Sequence, residues 1–180
     1  MKRLDKLQRG CAWTILALVA AVGWPSAAWS QAPAAQQECL AKVPGLLANW
    51  GTQLRDSSSE NPGLVVKTYT DTATLLPTCA NGPKTGHNEI TDYFHDFLKL
   101  HPVATFDDHT MRIGGNCQNL FASGLYSFAL GDERKNVRAR YTYVFEETAP
   151  GSRSWLITQH HSSLEPKPSD GHPAPECPSH

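Results

Sequence analysis

The sequence lacks an excess of charge of either sign. Its 180 residues include 16 Lys and Arg and 17 Asp and Glu, and charged residues make up only 18% of the chain. A protein that binds nucleic acid needs a basic surface for the phosphate backbone. We therefore expect no nucleic-acid partner.

The sequence also lacks the short motifs that bring metals, nucleotides or a nucleophilic serine into a site. It has no CxxC pair and no Cys/His spacing typical of structural zinc. It has no Gly-rich nucleotide loop, no HRD and no DFG, and no nucleophile elbow surrounds Ser162 or Ser163. We expect no metal, no cofactor and no kinase activity. The two serine hydroxyls are expected to satisfy backbone groups at a strand end.

The first 30 residues have the pattern of a secretory signal peptide. A basic start precedes an apolar run over residues 11–23 and small residues over 26–30. Cleavage would remove four basic residues and one acidic residue, which leaves 12 against 16 and a net charge of −4. We predict a periplasmic or secreted protein with no membrane contact after cleavage. The alternative is an uncleaved anchor, for which about 20 apolar residues are needed.

Four cysteines follow the predicted signal peptide: Cys39, Cys79, Cys117 and Cys177. An even number of cysteines in an oxidising compartment predicts two disulfides, with three possible connectivities. Four unpaired thiols are the alternative.

Periodic apolar residues predict three helices after a linker over residues 31–37. The first helix covers residues 38–55, although Pro44 is tolerated only in a first turn and moves the start toward Lys42. The other two helices are a short one that carries Val65, Val66 and Tyr69, and one that extends from His87 to Leu100.

Alternating apolar residues predict strands in the rest of the domain. The strands are 73–78, 106–113, 120–130, and the two arms of a hairpin, Val137–Ser163, that turns at Ala149–Ser152. One face of the first arm is apolar and aromatic. In the second arm, alternation puts Trp155, Ile157, Gln159 and His161 on one face and Leu156, Thr158, His160 and Ser162 on the other.

Helices followed by antiparallel strands define an α+β domain over residues 38–166. We expect a curved antiparallel sheet over three N-terminal helices, with a hollow on its concave face. Residues 167–180 are rich in Pro and have little to bury, so we predict a disordered tail unless Cys177 fixes it.

Several segments, in this order along the chain, resemble the nuclear transport factor 2-like superfamily. They are Trp50, Ala73–Thr78, Asp92–Phe94, Phe97–Leu98, Gly124–Phe128, Ala139–Thr142, Trp155–Ile157 and His160–Ser163. The sequence is most similar to bacterial proteins related to the calcium/calmodulin-dependent protein kinase II association domain. It is also similar to SnoaL-like polyketide cyclases and to the SgcJ/EcaC group, and ketosteroid isomerase and scytalone dehydratase share the fold.

The resemblance implies a cone-shaped domain that forms dimers or larger rings through its sheet. In the kinase the matching region is an assembly hub, so the resemblance implies no kinase activity. It also implies a disulfide between Cys39 and Cys117, which leaves Cys79–Cys177 as a weaker second bridge. The fold alone does not decide between a binding domain and an enzyme.

Candidate ligand-binding residues lie mainly in the closing hairpin. His160 and His161 are adjacent on a strand and should point to opposite faces, so one metal would reach both only across a bulge. Arg138 and Arg140 share a face. If that face is concave, they suit a small organic acid, and the resemblance favours Arg140. If it is convex, they are solvated or contact a second subunit.

Aromatic residues form a second group of ligand-binding candidates. They are Trp50, Tyr69, Tyr93 and Tyr126. Their rings and hydroxyls would line the hollow, and the alternative is an ordinary aromatic core.

Weak catalytic candidates are Asp71, Asp92, His95 and His160. A buried carboxylate beside an imidazole can act as a general base when its pKa moves toward neutrality. The alternative is a surface pair on a helix for Asp92 and His95, and a turn-forming role for Asp71.

Two functions therefore remain open. The favoured one is an exported, non-catalytic, oligomerising domain with a conical pocket for a small organic acid or similar ligand. The other is a small-molecule isomerase, cyclase or dehydratase. A carboxylate and an imidazole within about 3 Å of a common point in the cone would favour the enzyme.

Overall fold

The computed structural model describes residues 33–166 of the 180-residue chain. Its helices are α1 (Ala34–Leu40), α2 (Val43–Asp56), α3 (Gly63–Val66) and α4 (Gly86–Phe97), and a 3-10 turn, Leu98–Leu100, follows α4. Its strands are β1 (Tyr69–Leu76), β2 (Lys84–Thr85), β3 (Val103–Phe106), β4 (Arg112–Gly115), β5 (Asn119–Leu130), β6 (Lys135–Glu147) and β7 (Trp155–Leu164). The signal peptide and the tail that the sequence predicts lie outside the described residues.

The strands form one curved sheet in the order β2-β1-β7-β6-β5-β3, and β4 pairs with the other end of β5. The α+β class is confirmed. The sheet is mixed rather than antiparallel throughout, because β1 runs parallel to β7. These two strands are far apart in the sequence, so no hairpin fixes their relative direction. No helix among residues 33–166 is long and apolar enough to cross a membrane.

A break at Ala41 divides the predicted first helix into α1 and α2. Pro44 has no N–H to donate to the carbonyl of Leu40, and its ring would clash with that carbonyl. The helix therefore ends at Leu40, and Pro44 sits in the first turn of α2. The apolar stripe of α2 is buried and consists of Val43, Leu47, Trp50 and Leu54.

Two element boundaries differ from the sequence prediction. Tyr69 is the first residue of β1 rather than part of the second helix, because α3 is a single turn and Tyr69 already pairs with Ile157. The predicted strand over 106–113 spans β3 and β4. A turn separates them, in which the Asp107 carboxylate accepts the N–H of His109 at 3.0 Å.

The core lies between the inner face of the sheet and the helices α2 and α4. From α4 and the turn after it, Ile90, Phe94 and Leu98 are buried at a four-residue spacing. Burying each such side chain contributes about 1.5–3 kcal/mol. A disulfide between Cys39 and Cys117, with an S–S distance of 2.05 Å, ties α1 to the turn before β5. This pairing was predicted from the resemblance and is confirmed. The second predicted bridge involves Cys177, which lies outside the described residues.

Candidate ligand cavity

A β-bulge in β7 decides which side chains of the last strand reach the core. Thr158 has no opposite residue in β6, so the inward face of the strand changes there. The buried residues are Trp155 and Ile157 before the bulge and His160 and Ser162 after it. The strict alternation predicted for this strand is therefore wrong, since it grouped His161 with Trp155. His161 is exposed, on the face opposite to His160.

A cavity of about 50 Å³ lies between the inner face of the sheet and α4. Its wall is mostly aromatic and aliphatic, and no Asp, Glu, Lys or Arg lines it among the described residues. Side chains with nitrogen or oxygen atoms in the wall are Trp50, Thr78, Tyr93, Tyr126, His160 and Ser162. One buried water needs about 10–15 Å³, so the cavity has room for roughly four water-sized groups.

Hydrogen bonds from the core fix the orientation of His160. The Trp50 indole Nε1–H donates to Tyr69 Oη at 3.0 Å, and this oxygen lies 2.8 Å from His160 Nδ1. The phenol has one proton, and Nδ1 is its acceptor among residues 33–166. This arrangement favours the tautomer in which the imidazole carries its own proton on Nε2.

The second ring nitrogen of His160 has no such partner. Nε2 is buried and makes no hydrogen bond within the described part of the chain. The whole residue is 4% exposed and belongs to the cavity wall. A buried donor without an acceptor costs about 1–3 kcal/mol, so this N–H is a feature that needs an explanation.

Burial, and then the neighbouring charge of His161, lower the pKa of His160 to about 3. The imidazole is consequently neutral at physiological pH. A base with so low a pKa removes protons from carbon acids poorly near pH 7.

Three hydroxyl groups from separate elements form the other polar part of the wall. Tyr126 Oη donates to Ser162 Oγ at 2.6 Å, and the hydroxyls of Ser162 and Thr78 share a hydrogen bond of 2.6 Å. The expectation that Ser162 satisfies backbone groups is therefore wrong, because its partners are side chains. Burial raises the pKa of Tyr126 above its usual value, so the phenol stays protonated.

The two arginines of β6 lie outside the cavity. Both are exposed: Arg138 pairs with Glu165 at 2.6 Å, and Arg140 donates to the carbonyl of Leu164 at 3.2 Å. The hydrogen bond with Glu165 raises the pKa of Arg138. Their shared face points away from the core, because the alternate residues Ala139 and Tyr141 are the buried ones. Of the two orientations left open by the sequence, the outward one is observed, so neither arginine lines the cavity.

The carboxylates considered for catalysis also lie on the surface. The side chain of Asp71 is 94% exposed and lies 3.5 Å from His87. Asp92 and His95 are exposed on α4, and His95 contacts Asp96 at 3.3 Å. No carboxylate among the described residues joins His160 at the cavity. The described residues also contain no group of three or more His, Cys, Asp or Glu side chains that could hold a metal ion.

The aromatic candidates lie in or behind the cavity wall. Trp50, Tyr93 and Tyr126 line it, and Tyr69 supports His160 from behind. Sequence reasoning missed Thr78, whose position depends on the parallel pairing of β1 with β7. It also undervalued Ser162, although a residue two places after His160 shares its face in a regular strand.

Comparisons with known proteins support the fold. No protein-family model matches the chain, and no curated protein matches its sequence. A structure of a calcium/calmodulin-dependent protein kinase II association domain-like protein from Xanthomonas campestris is 28% identical, with a TM-score of 0.61, over 70% of this chain and 87% of that one.

More distant structures show the same fold. A nuclear transport factor 2-like protein of unknown function from Pseudomonas putida is 14% identical, with a TM-score of 0.60, over 77% of this chain and 94% of that one. A nuclear transport factor 2-like protein from Streptomyces avermitilis, suggested to be a dehydratase, is 11% identical, with a TM-score of 0.59. The match covers 72% of this chain and 97% of that one. The chain therefore has a nuclear transport factor 2-like fold, and the resemblance to that superfamily is confirmed.

Proposed function

We propose that this protein is an exported, non-catalytic binding domain whose cavity takes a small neutral molecule with an apolar body and one hydrogen-bond acceptor. The observation that carries this proposal is the buried, unpartnered Nε2 of His160, in a wall with no charged side chain among the described residues. In the tautomer that accepts from Tyr69, this nitrogen is a donor. A carbonyl oxygen of a ligand would satisfy this donor.

The absence of charge among the described wall residues weighs against an anionic ligand. Burying an ion without a countercharge costs several kcal/mol, even after relaxation. Arg138 and Arg140 are on the outer face and do not offset that cost. The small organic acid considered from the sequence is therefore less favoured than a neutral molecule.

The same wall weighs against the enzyme alternative. An isomerase or dehydratase needs a group that takes and returns a proton near neutral pH. The pKa of His160 is about 3, and the described carboxylates Asp71 and Asp92 are exposed. Binding without proton transfer is what this arrangement supports.

The volume limits both ligand size and affinity. A cavity of about 50 Å³ suits roughly four heavy atoms unless its entrance opens further. At a ceiling of about 1.5 kcal/mol per heavy atom, such a ligand would bind with a Kd no lower than about 40 µM. We therefore expect weak binding unless neighbouring segments move.

Three probe molecules with four heavy atoms each test the proposal: acetone, acetate and isobutene. Amide chemical shifts of the cavity residues would be followed by NMR during each titration. We expect acetone to bind more tightly than the other two, and His160→Phe to remove its advantage over isobutene. Tighter binding of acetate than of acetone, or binding of none of the three, would overturn the proposal.

We also propose that two copies associate through the outer face of the sheet. Phe121 is 44% exposed there and stands opposite Val144, a half-buried apolar residue of β6. Light scattering should give a dimer or larger mass for the wild type and a lower mass for Phe121→Lys. A wild-type monomer at micromolar concentration would contradict this assembly.

A further inference from the structure

An open groove lies at the opposite end of β6 and β7 from the cavity. It encloses about 550 Å³, which falls in the usual range of small-molecule sites. The groove is defined by an apolar floor of Leu46, Leu64, Trp155 and Leu156 and a basic rim of Lys42, Lys67 and Arg153. No Asp or Glu is among its described lining residues.

The cations of the rim have no carboxylate partner within residues 33–166. Some other surface cations are paired, for example Arg55 with Asp56 at 3.0 Å and Lys99 with Asp96 at 2.8 Å. Unpaired cations also occur elsewhere in the described chain, so the rim is distinguished by three of them bordering one apolar floor. Glu147 is the carboxylate closest to Arg153 in the chain, but it accepts backbone N–H groups rather than pairing with a side-chain cation. These groups are the N–H of Gly151 at 3.1 Å and that of Arg153 at 2.9 Å. The positive charge of the rim is thus available to a ligand.

Arg153 is positioned before any ligand binds. Its backbone has a φ of 55°, a left-handed conformation that is uncommon outside glycine, and the Glu147 carboxylate holds its N–H. Its Nη1 donates to Cys39 Sγ at 2.8 Å. A guanidinium held in this way loses less side-chain entropy on binding an anion.

The floor of the groove supplies the apolar half of the site. Leu64 is 40% exposed, and Leu156 is half-buried. A ligand that covers this floor while its charge reaches the rim must be both apolar and anionic. We propose that the groove binds a medium-chain alkyl carboxylate, with the carboxylate at the basic rim and the chain along the floor.

Titration of the full chain with sodium decanoate, below its micellar concentration, tests this proposal by calorimetry. We expect affinity to rise about fourfold per methylene from hexanoate to decanoate. Decanamide, which has the same chain without the charge, should bind at least about tenfold more weakly. Added salt should weaken decanoate binding but not decanamide binding.

Charge variants locate the site. We expect each of Lys42→Gln, Lys67→Gln and Arg153→Gln to weaken decanoate about threefold, and the triple variant about 30-fold. The matched control replaces three cations elsewhere, Lys84, Arg134 and Lys135, by Gln and should leave the affinity unchanged. Thermal unfolding would verify that both triple variants remain folded.

Several outcomes would overturn the proposal. Equal decanoate affinity in the two triple variants would place any binding elsewhere. Displacement of decanoate by acetone would place it in the cavity. A change in oligomer mass in the groove triple variant alone would make the groove an interface between copies. None of these results would exclude acetone binding in the cavity, so the two proposals can fail separately.

Discussion

The cavity and the groove occupy opposite ends of the same pair of strands and have opposite chemistry. The cavity is the less open of the two and is lined by a neutral imidazole and hydroxyls, whereas the groove is more open and carries three cations. Desolvation explains the difference. An unpaired charge is costly in an enclosed apolar space and nearly free of cost at a surface. Solvent access therefore separates the proposed site for a neutral ligand from the proposed site for an anion.

The bulge at Thr158 lies between the two sites, and deleting residues 158 and 159 together should have the largest effect. This deletion shifts the side-chain faces by one residue, which turns His160 and Ser162 outward. We expect a loss of more than about 4 kcal/mol or complete unfolding, measured by chemical denaturation.

The matched control deletes Thr158 alone. It removes only the residue without a partner in β6, so the inward set after it is unchanged. We expect this variant to remain folded and to keep acetone binding. If both deletions were equally tolerated, the bulge would not determine the cavity end of the strand.

Removal of the disulfide should have the next largest effect. Cys39→Ser with Cys117→Ser opens a link between residues 78 positions apart, and the expected loss is about 2–5 kcal/mol by denaturant unfolding. Decanoate binding should also weaken, because Arg153 loses its sulfur contact, while acetone binding should persist. An unchanged unfolding midpoint, or an equal effect on both ligands, would contradict this view.

Acidification should destabilise the cavity end through His160. Its pKa is about 3 in the folded state against 6.5 ordinarily, so only the unfolded chain takes up the proton between these values. The contribution is complete above about pH 6.5 and decreases as the pH falls toward 3. At pH 5 the loss of stability relative to pH 7 amounts to about 2 kcal/mol.

Comparison with His160→Gln isolates this contribution from other titrating groups. The difference in unfolding free energy between wild type and variant should shrink by about 2 kcal/mol between pH 7 and pH 5. A difference that is independent of pH would mean that His160 is not buried as a neutral ring.

The smallest expected effect is the difference in stability between alanine variants of two adjacent serines, Ser162 and Ser163. Ser162→Ala leaves the Tyr126 hydroxyl without its acceptor in the described structure and should cost about 1–2 kcal/mol. Ser163→Ala, on the outer side of the same strand, should change stability by less than about 0.5 kcal/mol. Equal effects of the two changes, by thermal or denaturant unfolding, would contradict the assigned faces.

The fold class and most element types could be predicted from the sequence, because long periodic segments record burial directly. The apolar stripe of α4 and the alternation in β6 are examples. The parallel pairing of β1 with β7 could not be predicted, since no local pattern records the direction of a distant neighbour.

The cavity was harder to predict than the fold. Aromatic residues such as Trp50 and Tyr126 were found because ring size and position indicate burial. The sequence did not determine whether Arg140 lies on the concave or the convex face of the sheet, because the alternation in β6 is the same in both cases. The bulge at Thr158 has no marker such as glycine, so the inward side of His160 was not specified.

The central claim is that His160 is a neutral, buried donor, and its ring nitrogens test it most directly. A long-range ¹H–¹⁵N correlation spectrum at pH 7 reports which nitrogen of His160 carries the proton. We predict protonation at Nε2 and an unprotonated Nδ1 that accepts from Tyr69, with a shift of the Nε2 signal on addition of acetone. A proton on Nδ1, a doubly protonated ring, or an Nε2 signal insensitive to acetone would contradict the account.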